Sequence, residues 1–349
     1  FITAVMKSVD EYQDLLLISV ASAGNDHRLG ANEAPPAIMS IYMGDELNAV
    51  LQSIRFGKSY DKVSNKKIEI GVDVLPPIPK DSTDRNRTSP FAFTGNRFEF
   101  RSVGSSLSIS GPNTTLNSIL AYALKKYADK LEKSSNFEAD LNKLIKREIT
   151  RHWRILFDGN GYGAEWKVQA EKRGLKNYRT TPDAVEHYLD EKNIKLYTAM
   201  GIYTEDEMKH HYDVKLEKYC KMLNIEVGTM LEMIRADILP ATYKYLDLLG
   251  DIMQKKPYKI KSVDKLWQKL GSLSDELYDA SEKLEEMYKA AKTKSNLMEK
   301  AHYYADEVIP FMEKTRAIAD QIEPLWGMEF RPYPTYEELL FANEGYEHK

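Results

Sequence analysis

Apolar residues recur every three or four positions over much of the chain, which is the spacing of one face of an α-helix. The first such segment spans residues 1–18, and its apolar positions are Ile2, Val5, Met6, Val9 and Leu16. A second apolar stretch begins at Ala37, and its helical part is predicted to end at Gly57, because glycine is common where a helix stops. Small and polar residues at positions 21–26 interrupt the spacing and predict a loop between the two helices.

The pattern changes to alternation in two places, as expected of β-strands. The first is residues 68–74 and the second is residues 89–101. In the second, two pairs of alternating phenylalanines flank Gly95-Asn96, a pair suited to a tight turn. This arrangement predicts a β-hairpin with one aromatic, buried face. Successive side chains of a strand point to opposite sides, so the other face is expected to hold Arg97, Glu99 and Arg101.

From Leu116 onward the helical spacing dominates, and two long apolar stripes indicate a helical hairpin over residues 262–326. The two helices are expected to join near residues 292–296. Pro310 is expected to kink the second helix, because proline cannot donate a backbone hydrogen bond. We therefore predict an α+β chain with two parts: residues 1–115, which contain the strands, and residues 116–349, which are helical.

Composition and charge exclude several classes of function. The chain has 349 residues, of which 42% are hydrophobic and 29% charged, as is typical of globular proteins. The formal net charge of −4 argues against nucleic acid as a partner. No apolar run is long enough to cross a bilayer, no segment has the pattern of a signal peptide, and the single Cys220 permits no disulfide within the chain. A cytoplasmic protein without a membrane partner is expected.

A first polar cluster lies at residues 25–36 and contains Arg28 and Glu33. Binding residues often occupy such glycine-containing segments between ordered elements. Composition alone favours a plain solvated connection.

A second polar cluster, residues 84–89, adds Arg85 and Arg87 immediately before the predicted hairpin. Together with the hairpin it gathers four arginines near Glu99, which is costly unless anions neutralise them. Arginine presents a rigid fork of donors that suits phosphate and carboxylate. The alternative is a ladder of surface ion pairs worth about 0–1 kcal/mol each. The density of charge favours the anion-binding interpretation.

These two clusters resemble segments of the type III glutamine synthetases. Residues 19–36 resemble the flap of that family, and residues 84–101 resemble a strand pair of its catalytic barrel. Shorter matches are Gly104-Ser-Ser106, Gly111-Pro-Asn113, Gly159-Asn-Gly-Tyr162, Asp237-Ile-Leu-Pro240 and Tyr333-Pro-Thr-Tyr336. The resemblance covers essentially the whole chain. It implies the C-terminal part of an antiparallel β-barrel catalytic domain over residues 1–115, followed by a helical region.

The resemblance also implies roles for individual residues. Arg28 corresponds to the arginine that holds the α-carboxylate of glutamate, and Glu33 to the flap glutamate that takes a proton from ammonium. Glu99 corresponds to a metal ligand. Arg87 and Arg97 correspond to groups that bind the nucleotide phosphates, and Arg85, in the same cluster as Arg87, is assigned to them as well. Arg101 corresponds to the arginine that faces the γ-glutamyl phosphate. One further arginine of the commoner pattern is replaced here by Ala92.

The implied reaction is the ATP-dependent ligation of ammonia to L-glutamate with Mg²⁺ or Mn²⁺. The implied partners are glutamate, ammonium, ATP and further copies of the chain in stacked rings, with sites at subunit boundaries. The remaining metal ligands of the family lie upstream of this segment, so the isolated chain is expected to be inactive. Three alternatives stay open: another carboxylate–amine ligase, an inactive regulatory homologue, and a helical interaction module.

Overall fold

The computed structural model describes residues 1–30, 34, 36–58, 89–255 and 260–342, together with the backbone of residues 67–68 and 78–79. The chain divides into two compact units, Phe1–Leu216 and Glu217–Lys349. The division predicted after residue 115 is based on the change from alternating to helical spacing in the sequence, whereas these two units are defined by contacts in the structure. The predicted division stays a prediction. Among the described residues, no helix is long and apolar enough to cross a membrane.

The predicted first helix is present, with one interruption at Tyr12. The first helices are α1 (Ile2–Glu11), α2 (Gln13–Val20), α3 (Ala23–Arg28) and α4 (Asp45–Phe56). The loop predicted at residues 21–26 is wrong in part, because the chain forms α3 there. Ser22 caps this short helix by accepting a hydrogen bond from the Asn25 backbone N–H at 3.3 Å. As predicted, α4 ends at Gly57, which has a left-handed backbone with φ of +66°.

The strands are short, and three of them form one sheet. The strands within the described residues are β1 (Ile41–Tyr42), β2 (Lys67–Ile68), β3 (Ile78–Pro79), β4 (Phe91–Phe93) and β5 (Phe98–Phe100). In the sheet, β4 lies between β1, to which it is parallel, and β5, to which it is antiparallel. β2 pairs with β3 separately. The predicted α+β class is therefore present as a mostly helical chain with a small sheet, and the antiparallel barrel stays a prediction.

The hairpin β4–β5 forms as its alternation predicts. Phe91 pairs with Phe100 and Phe93 with Phe98 across the strands. The ring centroids of Phe93 and Phe98 lie 5.1 Å apart, and those of Phe91 and Phe98 lie 5.5 Å apart. Gly95 makes the turn with φ of +94°, a conformation that favours glycine. The aromatic face is stabilised by these cross-strand pairs, which leaves the opposite face for polar residues.

Buried carboxylates connect α1 and α2 to the later helices of the first unit. Those helices are α5 (Ser110–Leu131), α6 (Phe137–Arg151), α7 (Ala164–Lys172), α8 (Thr181–Val185) and α9 (Glu191–Ala199). Asp10 lies 2.7 Å from His152 Nδ1 and accepts a hydrogen bond from Arg154 at 2.8 Å. Asp14 accepts a hydrogen bond from Lys192 at 2.7 Å. Burying a carboxylate is costly unless it is paired, so these contacts help to select this helix arrangement.

The second unit contains the predicted helical hairpin. The helices here are α10 (Glu205–Glu232, within which the division between units falls), α11 (Leu239–Lys255), α12 (Lys261–Thr293), α13 (Leu297–Tyr303), α14 (Ile309–Ile322) and α15 (Tyr336–Leu340). α12 packs against α11 and α14. Buried members of this core include Ile238, Leu249, Leu270, Leu277, Ile322 and Trp326. The join between α12 and α13 lies where the sequence predicts it.

The disturbance predicted at Pro310 takes the form of a π-helical turn at Tyr304–Val308. A second π-helical turn, Met233–Ile238, precedes Pro240 in the same way. Proline removes one donor and crowds the carbonyl four residues earlier, and a wider turn accommodates both effects. Each proline therefore lies inside a long helix without ending it.

Candidate functional site

The polar face of the hairpin places Glu99 between two arginines. One carboxylate oxygen of Glu99 accepts hydrogen bonds from Arg97 at 3.2 and 3.3 Å, and the other accepts from Arg101 at 2.9 and 3.2 Å. These contacts, with Arg101 contributing most, lower the pKa of Glu99. The carboxylate is therefore ionised at neutral pH. The period-2 prediction that these three side chains share one face is confirmed.

Arg28 reaches the same site from the C-terminal end of α3. Its guanidinium donates to the backbone oxygens of Arg101 and Ser102, both at 3.2 Å, and to Asn25 Oδ1 at 3.2 Å. Residues 73 positions apart in the sequence are thereby joined. The structure brings together Arg28, Arg97, Glu99 and Arg101, and within this group Arg28 also holds the end of β5 in place.

Asn25 is a site residue that sequence reasoning missed. Its side chain is buried and donates to the backbone oxygens of Val20 at 2.8 Å and Ser102 at 2.9 Å. A Cβ atom on Gly104 would lie 3.3 Å from Asn25 Oδ1, so the chain passes close to this amide. Asn25 therefore fixes the end of α2 against the segment that follows β5. Its only sequence signal is its position within the first polar cluster.

The described residues on either side of Glu33 contact each other. Gly30 N–H donates to the backbone oxygen of Ala34 at 3.1 Å, and Leu29 forms a bridge with Ala34. Gly30 has φ of +79°, which favours glycine at this position. Glu33 itself lies outside the described residues, as do Arg85 and Arg87 of the second cluster. Their predicted roles stay predictions.

Asp26 anchors α3 to α8. Its two oxygens accept hydrogen bonds from Thr181, from the backbone N–H at 2.6 Å and from the hydroxyl at 2.9 Å. Burial raises the pKa of Asp26 to about 7, an effect that Thr181 and His27 partly offset and Asp183 reinforces. This carboxyl therefore titrates near neutral pH, one position before His27 and two before Arg28.

Replacing Asp26 with Asn is expected to flatten the pH dependence of stability. The folded state holds this proton more tightly than the unfolded chain, so the contribution of Asp26 is greatest at low pH and is lost as the pH rises through about 7. The loss should amount to ~2–4 kcal/mol between about pH 4 and pH 8. Asn keeps one acceptor for the Thr181 N–H and one donor for its hydroxyl. Unfolding by urea over this pH range measures the difference between variant and wild type.

The matched control is Asp206→Asn, which changes an exposed carboxylate on α10. This control measures what replacing a carboxylate with an amide does at an exposed position. A pH dependence for Asp26→Asn that matches the control would show that Asp26 does not titrate differently in the folded and unfolded states.

Ala92 lies opposite Glu99 in the β4–β5 pair. Directly opposed residues of an antiparallel pair share one face, so Ala92 belongs to the polar face. Ala92 is fully buried, and an arginine there would require its neighbours to move. The structure around position 92 therefore accommodates alanine and has no room for a larger side chain.

Among the described residues of the candidate site, Glu99 is the carboxylate on the polar face of the hairpin that a metal ion could contact. Within the described ranges there is no group of three or more His, Cys, Asp or Glu residues placed to hold one. Mg²⁺ is commonly held by one or two carboxylates together with substrate phosphates and water. Glu99 is ionised and lies beside Arg97 and Arg101, whose guanidinium groups suit phosphate. It could therefore supply one carboxylate ligand to such an ion, and the remaining ligands would have to come from other groups.

The chain is similar to known proteins over nearly all of its length. Residues 140–256 match the glutamine synthetase C-terminal domain. The chain is 37% identical over 353 residues to the type-3 glutamine synthetase of Dictyostelium discoideum, and 39% identical over 365 residues to a glutamine synthetase of Butyrivibrio fibrisolvens. It is 36% identical over 358 residues to a glutamine synthetase of Bacteroides fragilis. Each alignment covers 98% of this chain but 48–50% of the relative, so the chain spans about half the length of these curated relatives.

Proposed function

We propose that the chain forms part of an enzyme that ligates ammonia to L-glutamate with ATP. Its similarity to the glutamine synthetases over 98% of its own length supports this proposal. The observation that supports this most is the meeting of Arg28, Arg97, Glu99 and Arg101 at one site. Fixed guanidinium groups around an ionised carboxylate suit the handling of phosphate and carboxylate substrates.

The proposed reaction has two steps. A γ-carboxylate oxygen of glutamate attacks the γ-phosphorus of ATP, and ADP leaves. Ammonium then gives a proton to a carboxylate, the resulting ammonia attacks the γ-carbon, and phosphate leaves together with a second proton from the nitrogen. Fixed positive charges help most where negative charge grows during such transfers.

Each arginine is assigned to a different group of the substrates according to its position. Arg101 is held by Glu99 on its side chain and by Pro90 and Arg28 on its backbone, so its guanidinium has a fixed location suited to the transferring phosphoryl group. Arg97 is more exposed, with 65% of its side chain accessible, which suits a contact to the nucleotide phosphates. Arg28 is assigned to the α-carboxylate of glutamate. That role has to coexist with its hydrogen bonds to the carbonyls of Arg101 and Ser102.

Glu99 is assigned to the metal. A bound divalent ion supplies charge neutralisation for the phosphates. Glu99 would share in holding it, because its carboxylate stays ionised and projects from the same face as both arginines. The other metal ligands are proposed to come from outside the described residues of this chain. We further propose that copies of the protein assemble as homo-oligomeric rings, as the resemblance implies.

The test uses the full-length protein with ATP, glutamate and ammonium, and measures glutamine and phosphate. Glu99→Gln is expected to raise the Mg²⁺ concentration needed for half-maximal activity, and the KM for ATP, by about tenfold or more, because one charged oxygen ligand is lost. Gln keeps the size of the side chain, so folding should be retained.

The matched control is Glu285→Gln, which alters a carboxylate that is also held between two cations, Arg235 and Lys289. It should leave both dependences unchanged. Unaltered Mg²⁺ and ATP dependence in Glu99→Gln would reduce Glu99 to an ion-pair partner. Absence of glutamine from the wild-type reaction would refute the proposed activity.

A further inference from the structure

A basic cleft in the first unit lies apart from the residues of the candidate site. It is lined by residues of α1, α5, α6 and the turn after α5, and it has a volume of about 560 Å³. Six of its lining side chains are cationic and two are carboxylates, whereas the chain as a whole has a net charge of −4. The cationic residues are Lys7, Lys126, Lys130, Lys133, Arg147 and Arg151. The proposed reaction gives none of them a role.

One buried carboxylate, Glu148, holds two of these cations in place. It accepts hydrogen bonds from Arg147 at 2.6 and 2.9 Å and lies 3.7 Å from the Lys7 ammonium. Burial by itself raises the pKa of Glu148, but Arg147 and Lys7 outweigh that effect and lower it. Glu148 is therefore ionised at neutral pH, and Lys7 and Arg147 belong to the structure of the cleft rather than to a ligand.

The other four cations have no such partner. Lys130, Lys133 and Arg151 are exposed, and no carboxylate within the described ranges forms an ion pair with them. The Lys126 ammonium lies 4.1 Å from the centroid of the Tyr122 ring, a contact that leaves its positive charge unneutralised. We call Lys126, Lys130, Lys133 and Arg151 the rim cations.

The rim cations repel one another. Three of them follow at intervals of four and three residues along α5 and the turn after it, so they share one side of that helix. Like charges at this spacing are destabilising unless an anion neutralises them. The helix dipole favours cations in the last turn of a helix, but it does not require the cations of α5 and α6 to line the same cleft. Asp129, the second carboxylate of the lining, offsets only part of the charge.

We propose that this cleft binds a compact oligophosphate, whose phosphate groups pair with the rim cations. Several linked phosphates match cations that are spread along a helix, whereas a single phosphate would reach fewer of them. Within the described lining, Tyr127 is the one aromatic residue, and it is buried. A nucleotide base would find no exposed ring on which to stack. The phosphate chain is therefore the part of the ligand that the cleft recognises.

The experiment measures protection of lysines in the full-length protein by inorganic tripolyphosphate. Lysine amines are acetylated to a low extent at an ionic strength of about 0.1 M, and each site is read by mass spectrometry. Tripolyphosphate should protect Lys130 and Lys133 in a saturable way, with a dissociation constant on the order of 10–100 μM. Orthophosphate should bind at least about tenfold more weakly. Lys167 and Lys172, exposed lysines of α7, should remain unprotected.

A double variant, Lys130→Gln with Lys133→Gln, tests the rim cations directly. Protection of Lys126 reports binding in this protein, and the dissociation constant should rise by about tenfold or more because two charges are lost. The matched control is Lys167→Gln with Lys172→Gln, which removes the same charge from α7 and should bind within about twofold of wild type. Thermal unfolding of each variant checks that the fold is intact.

A second double variant, Arg97→Gln with Arg101→Gln, separates the cleft from the candidate site. Protection of Lys130 and Lys133 by tripolyphosphate should be unchanged in it. The proposal is overturned by absence of saturable protection, by loss of protection in this arginine variant, or by equal weakening in the two lysine variants, which would indicate only general attraction to positive charge. None of these outcomes depends on whether the protein makes glutamine.

Discussion

Glu33→Gln is expected to lower glutamine formation by about 10²–10⁴-fold, the usual contribution of a positioned proton acceptor. The glutamine side chain introduced at position 33 has the size of the original glutamate side chain but cannot accept a proton from ammonium. Phosphorylation of glutamate does not need this group, so it should continue at a reduced rate. The acyl phosphate would then be lost to water, and ATP consumption would exceed glutamine formation.

The measurement is the amount of glutamine formed per ATP consumed by the full-length protein. The described residues on either side of Glu33 contact each other, because the Gly30 N–H donates to the Ala34 backbone oxygen at 3.1 Å and Leu29 forms a bridge with Ala34. Glu46→Gln provides a matched control, since it removes an exposed carboxylate from the first turn of α4. A wild-type ratio at a near-normal rate in Glu33→Gln would remove Glu33 from the mechanism.

The hairpin shows how far the sequence alone can lead. Its alternation and its Gly95-Asn96 turn are local signals, and they determine which side chains share a face. The meeting of Arg97, Glu99 and Arg101 therefore follows from residues within two positions of each other. The long helical hairpin is predictable for the same reason, because a repeated apolar stripe is a local pattern.

The rest of the candidate site depends on contacts between distant residues, and these leave no periodic signal. Asn25 meets Ser102 across 77 positions, and Asp26 meets Thr181 across 155 positions. In the sequence the segment around them is merely small and polar, which predicts a loop. The Ser22 cap and these tertiary hydrogen bonds stabilise α3 there instead.

Buried charge is a further feature that a hydrophobic pattern cannot reveal. The spacing of apolar residues in α1 and α2 indicates one buried face, yet Asp10 and Asp14 are buried as well. Each is paired with cations supplied by much later segments, at Arg154 and Lys192. Removing Lys192 would take the cation from the buried Asp14 carboxylate, which is far more costly than loss of a surface pair.

Arg101→Gln is expected to lower kcat by about 10²–10³-fold, the typical loss when one fixed electrostatic group that faces the transition state is removed. The backbone of Arg101 donates to the Pro90 oxygen at 2.8 Å and accepts from Arg28, and neither contact involves the side chain. The variant should therefore keep β5 and Arg28 in place.

Two further measurements separate a chemical role for Arg101 from a structural one. Its guanidinium is the main cause of the lowered pKa of Glu99, so the acid limb of the pH–rate profile should move to higher pH in the variant. Arg97→Gln is the comparison: Arg97 binds the other Glu99 oxygen but is more exposed, so its loss should act mainly on the KM for ATP. A kcat for Arg101→Gln within about threefold of wild type, which corresponds to less than ~1 kcal/mol, would show that Arg101 only positions Glu99.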